Sequence, residues 1–135
     1  CVSVASALGW ACAGHEVAIC AIGPGIVGTG TRFGHGGLAA AEAANAALAL
    51  GGAPVVAARV SGADERARHR GVSHHTEAVL ALVRGEAMVA DGHPDGWREA
   101  CAGLPLSHMG RGPDDDPEFF AAAYAAGLAA RELVR

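Results

Sequence analysis

The stretch "PVVAARVSGADERARHRGVSHHT", Pro54–Thr76, decides how we interpret the fold of this chain. It begins with a short apolar run that predicts a strand from Pro54 to Val60. It ends near Ser73, a preferred type of residue for capping a helix, and apolar residues at helical spacing follow through Arg84. A polar loop, Ser61–Gly71, lies between the strand and the helix. A strand that leads through a loop into a helix is the repeating unit of an α/β fold.

Outside this stretch the same alternation of apolar runs and helix signals continues. Three more strands are predicted, at Val17–Ile22, Glu86–Ala90 and, as the weakest, Leu104–His108. Four more helices are predicted, at Val2–Ala13, Leu38–Leu50, Pro94–Ala102 and Phe119–Val134, the last with Asp116 as its cap and Pro117 at its first position. We therefore expect one α/β domain over residues 1–135, a three-layer, Rossmann-like sandwich around a mainly parallel sheet of about four strands.

Composition argues against several classes of function. The net charge is −4 and aromatic residues make up 4%, so neither charge attraction nor base stacking favours a nucleic acid partner. We expect no membrane partner, because no apolar run is long enough to cross a bilayer. Lysine is absent from the sequence, which argues against P-loop binding of ATP.

Cysteine usage and the first residues bear on location and completeness. The four cysteines show no C-x-x-C spacing, and Cys12 and Cys20 lie in apolar surroundings. We expect these two to be reduced core residues, as in a cytoplasmic protein. There is no initiator Met and no basic signal segment, so we expect a fragment of a longer protein, whose N-terminal part completes the sheet.

A glycine-rich loop, "GPGIVGTGTRFGHGG", follows the first predicted strand. It matches G-x-G-x-x-G, but the helix starts only near Gly37, and no acid follows the motif until Glu42, which lies within that helix; both points argue against NAD binding. The loop can instead offer backbone amides and hydroxyls to an anion. The residues predicted to do so are Gly25, Gly28, Thr29, Gly30 and Thr31. The alternative is a structural loop whose glycines only relieve steric crowding.

Arginines provide the second set of candidate ligand contacts. Arg68 and Arg70, before the predicted helix, and Arg111, between two glycines, can hold a phosphate or carboxylate through their forked guanidinium groups. Ser73 and Thr76 are candidate contacts at the same junction, although capping is the better role for Ser73. A solvated run of charges is the alternative interpretation.

Histidines provide the third set. His74 and His75 are candidate general acids or bases, because a histidine pKa lies near neutrality. With His69 they also suggest a divalent metal site, although neighbouring side chains on a helix point about 100° apart, which argues against one shared ion. His35 and His108 are isolated in the sequence, and we expect them to be surface or supporting residues.

Three polar loops are predicted to meet where ligands bind in parallel sheets, outside the carboxyl ends of the strands. They are the glycine loop, Ser61–Thr76 and the segment "HMGRGPDDD". The leading hypothesis is an enzyme that acts on a small anionic metabolite, including a phosphorylated one. The alternatives are a binding or regulatory module without turnover and a metal-binding protein. Self-association through the Ala-rich helices is a further expectation.

Three segments together resemble a known family. They are "GPGIVGTGTRFG", "RARHRGVSHHT" and "MGRGPDDDPEFFAAAYAAG". They are similar to the hallmark segments of an uncharacterised bacterial family, catalogued as domain of unknown function 3866. The resemblance implies a longer protein of which this chain is the C-terminal part, and a shortened region between Ala90 and Leu104. It implies no activity.

Overall fold

The computed structural model describes residues 2–23 and 26–134. Five α-helices occur in this part of the chain: α1 Val4–Cys12, α2 Ala39–Ala49, α3 His74–Leu80, α4 Trp97–Ala100 and α5 Pro117–Leu133. Two short 3-10 helices, Gly36–Leu38 and Ala67–His69, precede α2 and α3. All five predicted helices are therefore present, and α4 is much shorter than its prediction.

The helix that carries two of the candidate histidines begins as predicted. The Ser73 hydroxyl oxygen accepts a hydrogen bond from the His75 backbone N–H at 3.2 Å, so Ser73 is the N-cap of α3. The helix ends at Leu80, earlier than the predicted Arg84. Asn45 of α2 holds the following turn, because its side chain accepts a hydrogen bond from the Arg84 N–H at 2.7 Å. This contact fixes the end of α3 against α2.

The strands are few and short. Strands β1 (Val55–Ala57) and β4 (Met88–Ala90) form a parallel pair, and β2 (Val60–Ser61) and β3 (Gly71–Val72) form an antiparallel pair. The molecule is therefore a mixed α/β protein. In the described residues the parallel sheet has two strands rather than about four, and the three-layer, Rossmann-like sandwich is not seen there.

Two strand predictions are wrong. Val17–Ile22 forms no strand, and Ile19 within it is 90% exposed. Cys20 in this segment is also exposed, as is Cys12, so neither is the core residue that the sequence predicts. Leu104–His108 also forms no strand, because the chain turns sharply there: the Leu106 N–H bonds to the Leu104 carbonyl at 2.8 Å. Short apolar runs show no periodicity that separates a strand from an irregular segment, which explains both errors.

The C-terminal helix α5 packs on β1, β2 and β4. Its buried residues Phe120 and Ala121 form a core cluster with Trp97 of α4. Asp116 and Pro117 start this helix as predicted. Among the described residues, none of the helices has the length and apolar character needed to cross a bilayer.

Candidate functional site

The glycine loop positions a histidine. Its backbone closes on itself in an antiparallel bridge between Gly28 and His35, in which the Thr29 N–H donates to the Gly34 carbonyl at 2.7 Å. A Cβ on Gly28 would lie 2.9 Å from that carbonyl oxygen, so only glycine allows this close approach. The result is a tight hairpin that carries His35, a residue that is only 8% exposed.

The other predicted anion contacts in this loop are turned toward the loop itself. The Thr29 and Thr31 hydroxyl oxygens lie 3.0 Å apart, and Thr29 also donates to the Gly34 carbonyl at 3.4 Å. Gly30, with a φ of +80°, makes the turn between them. Gly25 lies outside the described residues. Anion binding by this loop stays a prediction.

Backbone and side-chain hydrogen bonds connect the start of α3 to Arg59, which lies between β1 and β2. The Arg59 N–H donates to the Thr76 hydroxyl at 3.0 Å, and the Ser73 N–H donates to the Arg59 carbonyl at 2.8 Å. Ser73 and Thr76 are buried, and these bonds give both a positioning role. They place His74 and His75 next to the hairpin that carries His35.

Four histidines, His35, His69, His74 and His75, form what we call the histidine cluster. The rings of His35 and His75 are stacked, with centroids 4.1 Å apart, and those of His74 and His75 are 4.3 Å apart. The ring of His69 lies 4.9 Å from that of His74 and 4.8 Å from that of His75. Sequence reasoning missed His35, because the hairpin that brings it here cannot be inferred from spacing.

Three members of the cluster converge on one point. His35, His74 and His75 each offer a ring nitrogen, and these three nitrogens lie within 4.8 Å of one another. Both ring nitrogens of His35, Nε2 of His74 and Nδ1 of His75 are buried without a hydrogen-bond partner in the protein. Buried polar atoms of this kind are rare in native proteins and point to a bound group. Adjacent histidines can therefore approach a common point, contrary to the sequence argument.

His69 has a different role. Its Nδ1 lies 2.7 Å from Arg59 Nη1 and 2.6 Å from the Ser73 hydroxyl. A guanidinium nitrogen only donates, so Nδ1 is the acceptor, and in the neutral ring Nε2 carries the proton. The residue is 1% exposed. His69 is thus a fixed neighbour of the converging nitrogens, and His35 takes the third place that sequence reasoning gave to His69.

The rings of His69, His74 and His75 are held in the neutral form at neutral pH, because their pKa values are lowered. Burial, followed by the charge of Arg59, lowers the pKa of His69 to about 4. Burial, followed by the neighbouring His35, lowers the pKa of His75 to about 4, and burial, followed by Arg68, lowers the pKa of His74. Neutral imidazole is the form that binds metal ions, since its lone pair is free.

Beside the cluster lies an arginine–aspartate network centred on Asp64, which is 2% exposed. Its carboxylate accepts hydrogen bonds from Arg59 Nη2 at 2.8 Å, Arg66 Nη2 at 2.9 Å and Arg66 Nε at 3.0 Å. The side-chain bonds from Arg66 are the largest cause that holds the pKa of Asp64 well below its usual range. In the sequence, Arg59 and Arg66 belong to the same arginine-rich run as Arg68 and Arg70, for which an anion clamp and a solvated charge run are the two interpretations.

A second buried carboxylate, Asp116, joins this network to α5. It accepts a hydrogen bond from the Ser61 hydroxyl at 2.6 Å and one from the Gly62 N–H at 3.1 Å. Arg111 Nε lies 3.3 Å from the same carboxylate. Asp116 stands at the N-cap position of α5, but its side chain makes no capping hydrogen bond. Its oxygens accept the bonds from Ser61 and Gly62 instead.

The predicted anion contacts Arg68, Arg70 and Arg111 have separate surroundings. Arg68 and Arg70 are exposed, and Arg70 donates weakly to the Asp64 carbonyl at 3.4 Å. Arg111 is paired with Asp116, while its Nη2 is buried without a hydrogen-bond partner in the protein. Their joint action on one anion stays a prediction.

Fold and site together define a mixed α/β protein in which a histidine cluster adjoins an arginine–aspartate network. The chain belongs to the family described as protein of unknown function (DUF3866), whose model matches residues 1–93. Neither the curated proteins nor the solved structures contain a match to this chain.

Proposed function

We propose that this protein binds a divalent transition-metal ion through His35, His74 and His75. One observation carries the proposal: three histidine nitrogens lie within 4.8 Å of one another, at buried rings whose nitrogens lack partners in the protein. An imidazole–zinc bond is about 2.0–2.1 Å long, which places nitrogens around a tetrahedral ion roughly 3.4 Å apart, so side-chain rotations that shorten the longest gap by roughly 1.4 Å at most complete the site.

The donor set selects the kind of metal. Three neutral imidazoles suit zinc, copper, iron or nickel and are poor ligands for magnesium or calcium, which prefer oxygen. Three protein ligands leave a fourth position for water or substrate, the pattern of catalytic rather than structural zinc sites. The fixed ring of His69 beside the three ligands would restrict which groups can enter that position.

The test is metal binding by protein that carries no affinity tag. Titration with Co²⁺ should produce the visible absorption of a tetrahedral complex, and Zn²⁺ should displace the cobalt and bleach it. His35→Ala and His75→Ala should each weaken binding at least about tenfold, the loss expected for one direct ligand or its support. His15→Ala, at an exposed histidine outside the cluster, is the matched control and should bind like the original protein.

Two results would overturn the proposal. One is a protein that binds neither Co²⁺ nor Zn²⁺ at micromolar concentration and gains no thermal stability from either. The other is binding that survives His35→Ala and His75→Ala but is lost in His15→Ala, since the ion would then lie elsewhere.

A second candidate function is an enzyme that acts on a small anionic metabolite, with His74 and His75 moving protons. The excess of positive charge supports it, since Arg59, Arg66 and Arg111 face only two carboxylates in the described contacts. A product assay against phosphorylated and carboxylated metabolites tests it. Turnover that is lost in His74→Ala and His75→Ala supports the enzyme. Binding without turnover supports a regulatory module instead.

Several other expectations from the sequence stay predictions. They are a bacterial origin, a cytoplasmic location, a Rossmann-like arrangement of the complete sheet, self-association, and the absence of nucleic acid and membrane partners.

A further inference from the structure

A tight turn places a methionine over the arginine–aspartate network. His108 and Arg111 exchange two backbone hydrogen bonds, of 2.8 and 3.0 Å, across Met109 and Gly110. Both central residues have positive φ, 52° at Met109 and 78° at Gly110, as in a type I′ turn. Positive φ is uncommon outside glycine, asparagine and aspartate, so a methionine is an unusual choice here.

The thioether of Met109 contacts two guanidinium groups at once. Its Sδ lies 3.8 Å from Arg59 Nη2 and 3.8 Å from Arg66 Nη2. The same two nitrogens donate to one Asp64 oxygen, at 2.8 and 2.9 Å. Each Nη2 carries two hydrogens, so one is directed at the carboxylate and the second is left for the sulfur. The sulfur thus lies where a second shared acceptor belongs.

A thioether is a poor partner for this position. Sulfur in methionine is a weak acceptor, whereas guanidinium groups bind carboxylate and phosphate oxygens through strong, charge-assisted hydrogen bonds. Met109 is 63% exposed, so its side chain can swing into solvent without loss of core packing. The Arg66 side chain is 46% exposed, which leaves a path for a ligand from solvent.

We propose that Arg59 and Arg66 form a subsite for one small oxyanion, a phosphate or carboxylate group, and that Met109 covers this subsite until the anion displaces its side chain. The inference deepens the second candidate function, an enzyme that acts on a small anionic metabolite, because it names the residues that would bind the acidic group of the substrate. The inference rests on that function for the reaction only. Binding of the anion itself needs no metal ion.

The charges around the subsite favour an anion. Asp64 and Asp116 each pair with arginine. Burial is the largest cause that lowers the pKa of Arg59, and the positive charges of Arg66 and Arg111 lower it further. Three guanidinium groups, of Arg59, Arg66 and Arg111, thus share the two buried carboxylates of Asp64 and Asp116. A divalent metal at the histidine cluster would add to this positive charge, so metal and anion would bind cooperatively.

The test is calorimetric titration of metal-free protein, in chelator and at constant ionic strength, with inorganic phosphate in one arm and acetate in the other. Met109→Ala removes the competing sulfur and should tighten binding several-fold. Met88→Ala, at the chain's other methionine, is the matched control and should leave the affinity unchanged. Arg66→Gln should weaken binding at least about tenfold, as expected for one charge-assisted hydrogen bond.

Arg98→Gln is the control for charge alone, because Arg98 pairs with the exposed Asp114 at 2.7 Å. Arg66→Lys keeps the charge but not the fork; if Arg66→Gln fails to fold, it replaces that variant and should weaken binding in the same direction. The subsite is overturned if Met109→Ala binds anions with the same affinity as the original protein. It is also overturned if Arg66→Gln and Arg98→Gln lose the same amount of anion affinity. Cobalt titration of the same variants reports separately on the histidine site, so failure of one proposal is distinguishable from failure of the other.

Discussion

Two polar centres lie side by side in this molecule, and they differ in how their hydrogen bonds are satisfied. In the arginine–aspartate network both oxygens of Asp64 accept hydrogen bonds from arginine. In the histidine cluster, four buried nitrogens of His35, His74 and His75 have no partner in the protein. His69 bonds to Arg59 and also contacts the other rings, so it links the two centres. The contrast separates a centre whose buried carboxylate is satisfied within the protein from one whose buried ring nitrogens are not.

Breaking the satisfied centre should have the largest effect. Asp64→Asn leaves the guanidinium groups of Arg59 and Arg66 without their anion and should lower the free energy of unfolding by about 3 kcal/mol. Urea unfolding in chelator measures it. Asp114→Asn, at an exposed ion pair with Arg98, should cost less than about 1 kcal/mol. Similar losses in both variants would remove the distinction between the two centres.

Acid should destabilise the two centres in separate pH windows. The histidines of the unfolded chain have the ordinary pKa of about 6.5, whereas those of the folded protein have a lower one. Below about pH 6.5 the unfolded chain therefore binds more protons than the folded protein. Stability should therefore fall from about pH 6.5 down to about pH 4, where His69 and His75 also become protonated in the folded state. The pKa of Asp64 is lowered too, so its contribution is present above about pH 4 and is lost as the pH falls further.

Unfolding by urea at a series of pH values in chelator resolves the two windows. Asp64→Asn should flatten the curve below about pH 4 and leave the upper window in place. A single transition that Asp64→Asn abolishes throughout would show that the histidines do not contribute.

Replacing an unsatisfied histidine should cost little. His35→Phe fills the same place with an apolar ring and removes two nitrogens that have no partner, so metal-free stability should change by less than about 1 kcal/mol. Metal binding should be lost. His69→Phe, in contrast, leaves Arg59 and Ser73 without their shared acceptor and should be clearly destabilising. Chemical unfolding measures the free energy of unfolding of both variants. Equal losses in His35→Phe and His69→Phe would contradict the contrast between satisfied and unsatisfied histidines.

The smallest effect is expected at the turn beside the network. Met109→Gly relieves the positive φ of 52° but adds freedom to the unfolded chain, so the net gain should be about 0.5 kcal/mol. Met109→Ala keeps the backbone strain and should give no gain. Differential thermal unfolding of the two variants measures the difference, and a destabilised Met109→Gly would show that the thioether contact matters more than the strain.

Local signals predict the helices of this chain well. Ser73 is the N-cap that its residue type indicates, and Pro117 starts α5. Capping chemistry acts over a few residues, so a single sequence contains all of it. The apolar run Val17–Ile22 is different, because whether it becomes a strand depends on a neighbouring strand distant in sequence.

The candidate site could be predicted only in part. His74 and His75 follow a recognisable helix start, whereas His35 reaches them through a backbone bridge at Gly28 that leaves no spacing signal. Arg59 and Arg66 are similar. Their partnership depends on Asp64, and nothing in the spacing of the charged residues between Arg59 and Arg70 indicates that both arginines bind this one carboxylate. Long-range pairings of single residues are what one sequence does not reveal.

The buried Ser61–Asp116 pair has a consequence for where this unit of folding ends. The family match stops at residue 93, yet Asp116 lies beyond that point and holds Ser61 within it. The core cluster of Trp97, Phe120 and Ala121 also lies entirely past the matched region. A polypeptide cut after residue 93 would lose both. The end of the family match therefore does not coincide with a break in the packing of the described residues.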